Sequence, residues 1–353
     1  MNQRNIAYLD ILRIIAIFFI VTIHTAAQTI NVLPVKSFSF FVTNSYDCLS
    51  FIGVALFVMI SGALILREEY DSNIKRLLIH KVMHFVILYY LWKILYQFIY
   101  MYENQIPFTL NNLKENLIIK TLINRGFYHL WFLPMLIALY FCVPIIKKGL
   151  QSKKNCIYFI VLFFFTYCVI PIIFLFEFPY KYTLMDMYNT YNFQFFGGYL
   201  GYFVLGHFLQ NMIRMPTRKI RFGIYAIGIC SLLALPLLSY SFCYKQNSFS
   251  DVVSTPFSPM AFFISVSLFI GLRTFCTKSS WVNHPVVHNL SKLTLGIYLI
   301  HPAVIVLFNR FNFKPECVIP IVSIPLLALA NILICVIIAS LLMKIPILKH
   351  LLS

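Results

Sequence analysis

The sequence predicts an all-α protein, a polytopic membrane helix bundle of about ten transmembrane helices. Of its 353 residues, 60% are hydrophobic and 11% are charged, and the mean hydropathy is +0.82. The apolar residues gather in windows of about twenty residues, the length of helix that crosses a bilayer. This composition argues against a water-soluble globular domain. The net charge of +17 is explained by where the basic residues fall rather than by a nucleic-acid partner.

Ten apolar windows follow one another along the chain. They cover residues 11–29, 49–66, 82–101, 129–146, 156–176, 195–212, 222–242, 258–276, 293–309 and 318–343. The first is expected to be a retained helix rather than a cleaved signal, because polar residues interrupt its apolar core and many spans follow. We find no internal repeat, low-complexity tract or soluble appendage, so a single integral membrane domain over residues 1–353 is the simplest organisation.

Basic residues are distributed unequally between the two sets of connecting segments. With the N-terminus in the cytoplasm, the inside segments carry 18 lysines and arginines and the outside segments carry eight, while Arg13 and Lys93 remain within spans. Cytoplasmic loops carry an excess of Lys and Arg, so both termini are expected in the cytoplasm. The long outer connection 102–128 has leucine and isoleucine at helix-like intervals. It is expected to lie along the membrane interface or to form a lid.

The first span carries the polar residues that point most directly to a site. A charge in hydrocarbon is costly, so ionisable residues there usually mark function. Arg13 and His24 are eleven positions apart, and a helix returns them to nearly the same face, separated by roughly 16 Å along its axis. Asp10 precedes Arg13 by three residues, the spacing at which helical side chains meet, so a local ion pair is expected.

Six further residues are site candidates, and each has two interpretations. The histidines either belong to the site or pack against helix ends, the basic residues either bind phosphate or are ordinary cytoplasmic charge, and the tyrosines either contact a ligand or fill the core. These candidates are His129, His301, Arg76, Lys81, Tyr140 and Tyr298. Walker loops, GxGxxG, zinc-ligand spacings and GxSxG elbows do not occur in the sequence, so no metal is expected.

Several blocks of sequence together resemble the acyltransferase-3 family of integral membrane acyltransferases. In family order, they are Asp10-x-x-Arg13 followed by His24, FVMISG at 57–62, the basic stretch through Lys75-Arg76, HLWFL at 129–133 with Tyr140, LTLGIYLIHP at 293–302, and Pro346-x-x-Lys349. A single block is weak, but the ordered set with its Arg–His spacing is specific and covers nearly the whole chain. The residues beside Ser61-Gly62 depart from the family pattern, which bears on packing rather than function.

The resemblance implies a ten-helix core that passes an acyl group, usually acetyl, from cytoplasmic acyl-CoA to a hydroxyl of a surface polysaccharide or a lipid-linked saccharide. By the family motif, Arg13 would contact the CoA phosphates or adenine and His24 would be the general base. Arg76 and Lys81 would add phosphate contacts, and Asp10, His129, Tyr140, Tyr298 and His301 would support the site. The expected location is the bacterial cytoplasmic membrane.

A transporter or flippase for a glycan or small solute is the alternative. In it, Arg13 and His24 would serve as an anion site and a proton relay. This hypothesis predicts inverted repeats with broken spans in matched halves. We find no matched pair of broken spans in the sequence, although Pro134, Pro171 and Pro236 are placed to kink single helices. Succinyl or another short acyl group, and an amine acceptor, also remain open within the acyltransferase hypothesis.

Overall fold

The architecture is entirely helical. A computed structural model of the chain describes residues 7–67, 73–124, 126–193, 197–276, 282 and 284–352. Seventy-nine per cent of the structure is helical, and the described residues contain no strand. The predicted all-α class is therefore confirmed.

Thirteen helices are found in the described part of the chain. They are α1 Ala7–Ala26, α2 Phe38–Ile65, α3 Ile74–Glu103, α4 110–123, α5 Phe132–Gly149, α6 Lys153–Ile173, α7 Lys181–Thr190, α8 199–212, α9 Arg218–Gln246, α10 Pro259–Cys276, α11 Pro285–Arg310, α12 Pro320–Leu342 and α13 Pro346–Leu352. All except α4, α7 and α13 coincide with a predicted span.

Nine of these helices are long and apolar enough to cross a membrane. The predicted span outside these nine is the sixth, 195–212, which corresponds to α8; that helix has 14 described residues and a length of roughly 21 Å. A helix of that length is shorter than a hydrocarbon core. However, residues 201–207 are all buried, so protein rather than lipid surrounds α8.

The helix α2 begins eleven residues before the predicted window 49–66. Its first half contains polar residues that lower the local hydropathy, among them Thr43, Asn44 and Asp47. In the structure these side chains are buried against neighbouring helices. Ser239 of α9 donates a hydrogen bond to the Asn44 amide oxygen at 3.1 Å. Tertiary contacts therefore extend this helix into a segment that hydropathy alone excludes.

The bundle has a protein-surrounded centre and a lipid-facing periphery. In α1 and α11, 61% of the most apolar stretch is buried, against 28% in α12. The exposed side of α12 is an apolar ridge at helical spacing, with Val322, Leu326, Leu329, Leu333 and Ile337. An apolar ridge this long fits a lipid environment, and α1 lies behind it, in contact with α2, α10, α11 and α12.

Two glycines bring α2 and α8 into close contact. A Cβ added at Gly62 would lie 1.8 Å from the backbone oxygen of Phe203, and one added at Gly206 would lie 1.9 Å from the backbone oxygen of Met59. Small residues permit such backbone approach between membrane helices. Gly62 and Gly206 therefore allow α2 and α8 to pack with their backbones in contact.

Candidate active site

A cavity of about 290 Å³ lies in the centre of the bundle and joins the two polar residues of α1. Arg13 lines one end and His24 lines the other. The wall is mostly apolar and comes from α1, α2, α3, α5 and α11. Three further predicted residues also line it, namely His129, Tyr140 and Tyr298. The spacing argument for Arg13 and His24 is thus confirmed in one respect, since both side chains face a common space.

At the Arg13 end, side chains from α1 and α11 form a hydrogen-bonded group. The Arg13 Nη1 atom lies 2.9 Å from Asp10 Oδ1, which is the ion pair expected from their spacing. Ser291 donates to the same Asp10 oxygen at 2.7 Å and accepts from Arg13 Nη1 at 3.3 Å. The His288 ring lies 3.0 Å from Asp10 Oδ2. These contacts fix the guanidinium through Nη1, and a guanidinium has five N–H donors, so donors remain for an anion.

At the His24 end, aromatic rings pack around the imidazole. The rings of His24 and His301 are stacked, with centroids 5.2 Å apart and planes 22° apart. The Tyr128 ring lies 4.8 Å from His24, and His129 lies 5.4 Å from His301. Three imidazoles from α1, α11 and the turn before α5 are therefore gathered beside one cavity. No group of three or more His, Cys, Asp or Glu side chains in the described ranges is arranged to hold a metal ion.

The hydrogen bonding of His301 determines its tautomer. Its Nδ1 atom lies 2.7 Å from the backbone oxygen of Tyr298, and a carbonyl oxygen only accepts, so Nδ1 carries the proton. The Nε2 atom is buried and has no hydrogen-bond partner among the described residues. Asn331 of α12 donates to the His301 backbone oxygen at 3.0 Å and so ties this turn of α11 to its neighbour. His301 lies behind His24 rather than in the cavity wall.

The turn before α5 holds His129 against aromatic rings. The Tyr298 hydroxyl donates to the His129 backbone oxygen, and the rings of Tyr298 and Tyr96 lie 5.4 Å and 5.0 Å from the imidazole. Both ring nitrogens of His129 are buried and lack a hydrogen-bond partner among the described residues. Buried polar atoms are normally satisfied, so this unpaired imidazole beside a cavity is a candidate for contact with a ligand.

The remaining predicted residues are not in the cavity wall. Arg76 and Lys81 are exposed on the first turns of α3, ahead of Phe85, which does line the cavity. Sequence reasoning missed Ser291 and Tyr128. Ser291 lies two residues before the block LTLGIYLIHP, and Tyr128 directly precedes His129, so proximity to named motifs was the only signal in the sequence.

A search against protein families matches residues 6–340 to a model described as an acyltransferase domain. The chain belongs to this acyltransferase family. No similar protein was found among the curated proteins, and none was found among the solved structures. As a membrane acyltransferase, the protein takes an acyl group from a donor and passes it to an acceptor, and the expected family is confirmed over nearly the whole chain.

Proposed function

We propose that this acyltransferase moves a short acyl group, acetyl by preference, from cytoplasmic acyl-CoA to a hydroxyl of a surface polysaccharide or lipid-linked saccharide. One observation carries the proposal. A single cavity is lined at one end by an arginine fixed through one nitrogen and at the other by a histidine, roughly 16 Å apart along α1. Family membership favours this reaction over the transporter alternative.

The Arg13 end suits the charged part of the donor. CoA carries its phosphates at one end and its thioester at the end of a long flexible arm. A guanidinium with free donors binds phosphate strongly, while a mostly apolar cavity suits the arm. Arg76 and Lys81 are exposed on the first turns of α3, before Phe85 in the chain. We assign to them additional phosphate contacts at the mouth of the site.

The His24 end suits proton transfer to and from the reacting groups. The neutral His24 imidazole takes the proton from the acceptor hydroxyl as its oxygen attacks the thioester carbonyl carbon. The carbon–sulfur bond then breaks, an ester forms, and the leaving sulfur receives the proton from the imidazolium. General base catalysis of this kind typically contributes about 10²- to 10⁴-fold in rate.

The oxyanion formed during attack needs hydrogen-bond donors. The Tyr298 hydroxyl already donates to the His129 backbone oxygen, so we assign Tyr298 a positioning role. Tyr140 and the His129 ring also line the cavity and are the remaining candidate donors. His301 stacks on His24 from behind and restricts the tilt of its ring.

The location that fits this reaction is the bacterial cytoplasmic membrane with both termini inside. The excess of basic residues on the inside segments supports this orientation. Arg13 then lies near the cytoplasm, where acyl-CoA is found. His24 lies in the outer half of the membrane, nearer to a surface saccharide.

The proposal is tested by the release of free thiol from acetyl-CoA by purified protein in nanodiscs. Slow release without acceptor is expected from the wild type, and His24→Ala should abolish it while leaving CoA binding nearly intact. Arg13→Ala should weaken CoA binding first, seen as a raised KM. Arg218→Ala is a matched control, since this side chain is exposed and does not line the cavity.

Two outcomes would contradict this division of roles. If both variants lose binding and turnover equally while remaining folded, the two ends of the cavity do not have separate roles. If the wild type releases no thiol even with mixed saccharide acceptors, and acetyl-CoA does not raise its melting temperature, transport replaces acyl transfer as the leading hypothesis.

A further inference from the structure

The helix α4 turns two polar side chains into the protein, while its outward side carries apolar side chains beside the charged Lys114 and Glu115. Asn116 and Thr121 are 2% and 4% exposed, whereas Leu110, Leu122 and Ile123 are 63% exposed or more. A helix in water shows the reverse arrangement. The outward apolar side therefore fits the membrane interface, which was one of the two places expected for this connection. Its inward polar side faces α3.

The polar residues of α4 face a lysine buried in a membrane span. Lys93 of α3 is 4% exposed. Its Nζ atom donates to the backbone oxygen of Asn124 at 2.6 Å and lies 5.0 Å from the centre of the Tyr89 ring. Gly126 packs against its methylene chain, where an added Cβ would lie 3.1 Å from Lys93 Cγ, and has φ +82°. A buried cation in a span is expected to have a function.

A second cavity of about 290 Å³ lies between α3 and α4. Its polar wall contains Lys93 and Gln97 of α3 and Lys120 and Thr121 of α4. The Lys120 Nζ atom donates to the Asn116 amide oxygen at 3.0 Å. An ammonium has three donors, and none of the ion pairs between described residues includes either lysine. Two positive charges therefore face one space that holds donors for an anion.

This cavity adjoins the candidate active site. Tyr96 and Phe127 form its inner wall as a stacked pair, with ring centroids 4.5 Å apart. The Tyr96 and Phe127 rings lie 5.0 Å and 5.9 Å from the His129 ring, which lines the central cavity. One layer of aromatic rings thus separates the two cavities. A group held in this second cavity would therefore be separated from His24, His129 and His301 by one layer of aromatic rings.

We propose that the cavity between α3 and α4 binds the phosphate group of a lipid-linked acceptor. This inference deepens the proposed function, and it rests on that function in taking the bound lipid to be the acceptor of the acyl group. Two lysines with spare donors match the negative charge of a phosphate or diphosphate that joins a lipid to a saccharide. The apolar outer side of α4 places the cavity beside lipid, so an acceptor with a lipid tail reaches it from the membrane. Its saccharide then extends toward the histidines.

The test measures binding to the purified, full-length protein in nanodiscs made of neutral lipid. The probes are farnesyl phosphate, farnesol with the same tail, and inorganic phosphate without a tail. We expect saturable binding of farnesyl phosphate and at least tenfold weaker binding of the other two. Lys120→Gln and Lys93→Gln should each weaken farnesyl phosphate binding by about tenfold or more, because each removes one charge-assisted hydrogen bond.

Matched variants separate a specific site from general charge. Lys114→Gln removes an exposed lysine from the same helix and should leave farnesyl phosphate binding within about twofold of wild type. Lys120→Arg should retain most of the binding, since the charge remains. Lys120 is partly exposed, so Lys120→Gln remains informative if Lys93→Gln fails to fold.

Three results would overturn the proposal. They are equal binding of farnesol and farnesyl phosphate, an equal loss in Lys114→Gln, and inorganic phosphate binding as tightly as farnesyl phosphate, which would assign the cavity to a free anion. Because these probes need no turnover, the test is independent of thiol release from acetyl-CoA. Failure of thiol release with intact farnesyl phosphate binding would reject the proposed reaction and keep the lipid phosphate site.

Discussion

At the scale of single residues, the two ends of α1 are held by different kinds of contact. Asp10 joins Arg13 through an ion pair and joins α11 through Ser291 and His288. His24 is held by ring packing, against Tyr128 and His301. An arginine fixed by hydrogen bonds keeps its direction, whereas a ring held only by stacking leaves its nitrogens for other partners. This difference fits a binding role at one end and a proton-transfer role at the other.

Ser291→Ala tests the binding end without removing a charge. The variant loses the hydroxyl that accepts from Arg13 and donates to Asp10, so the guanidinium is less well oriented. We expect the KM for acetyl-CoA to rise roughly 2- to 12-fold, corresponding to the ~0.5–1.5 kcal/mol of a typical hydrogen bond, with kcat unchanged. Steady-state thiol release measures both constants.

The matched control is Ser241→Ala, because Ser241 is exposed near the end of α9 and bonds only locally to Leu238. This control should behave as wild type. A fall in kcat with unchanged KM in Ser291→Ala would show that Ser291 acts on the chemical step and would reject its assignment to donor binding.

At the scale of helices, the contact between α2 and α8 places the short sixth span inside the bundle. The two backbones approach at Gly62 and Gly206 with no room for a side chain between them. Without a hydrophobic driving force between helices in lipid, such close packing is a main source of association. The helix α2 also packs against α1, and its Phe57 and Ser61 complete the wall of the central cavity.

Gly62→Ala is expected to destabilise the fold. Its new Cβ would meet the backbone of Phe203, which yields only if α8 moves away. We expect a loss of about 1–3 kcal/mol, as for other overpacked sites, and a lower apparent melting temperature. Thermal unfolding in detergent, followed by size-exclusion chromatography, measures the change.

Gly223→Ala makes the same substitution in α9, where nothing lies within 4 Å of the added Cβ. The control should be neutral or stabilising by up to ~1 kcal/mol, since alanine favours the helix. Equal melting temperatures for Gly62→Ala and wild type would show that α2 and α8 are not closely packed in the protein.

At the scale of the whole molecule, the positive-inside distribution predicts the orientation, and one native cysteine reports on it. All nine cysteines are free. Cys317 is exposed in the short turn Pro315–Cys317 between α11 and α12, on the predicted outer side. Cys230 is also exposed, but it lies twelve residues into α9, where lipid would surround it. A thiol reacts as the thiolate, which lipid disfavours.

In intact cells, a membrane-impermeant maleimide is expected to label this protein at Cys317 alone. The label should disappear in Cys317→Ser. A cysteine placed near the C-terminus, Lys349→Cys in the Cys317→Ser background, should be labelled only after the membrane is permeabilised. Labelling of that variant in intact cells would show that the C-terminus lies outside and that the predicted orientation is inverted.

Helices, spans and the shared face of Arg13 and His24 were determined by the sequence alone. Hydropathy and the 3.6-residue period are properties of neighbouring residues, so they need no knowledge of the fold. The same argument failed for the first half of α2, where Asn44 and Asp47 are polar by sequence and buried by packing. The sequence blocks that resemble the acyltransferase-3 family, found in family order, indicated an acyltransferase, and the family match confirmed this.

Only the tertiary structure decided which distant residues meet. The Ser291 hydroxyl lies 281 positions from its partner Asp10, and Tyr96 contacts His129 across two helices and a turn. No local pattern encodes contacts at such separations, because they depend on how whole helices pack. The inward turn of the polar side of α4 is of the same kind. In the sequence Lys93 was a charge left within a span, and in the structure it shares a cavity with Lys120 beside the histidine cluster.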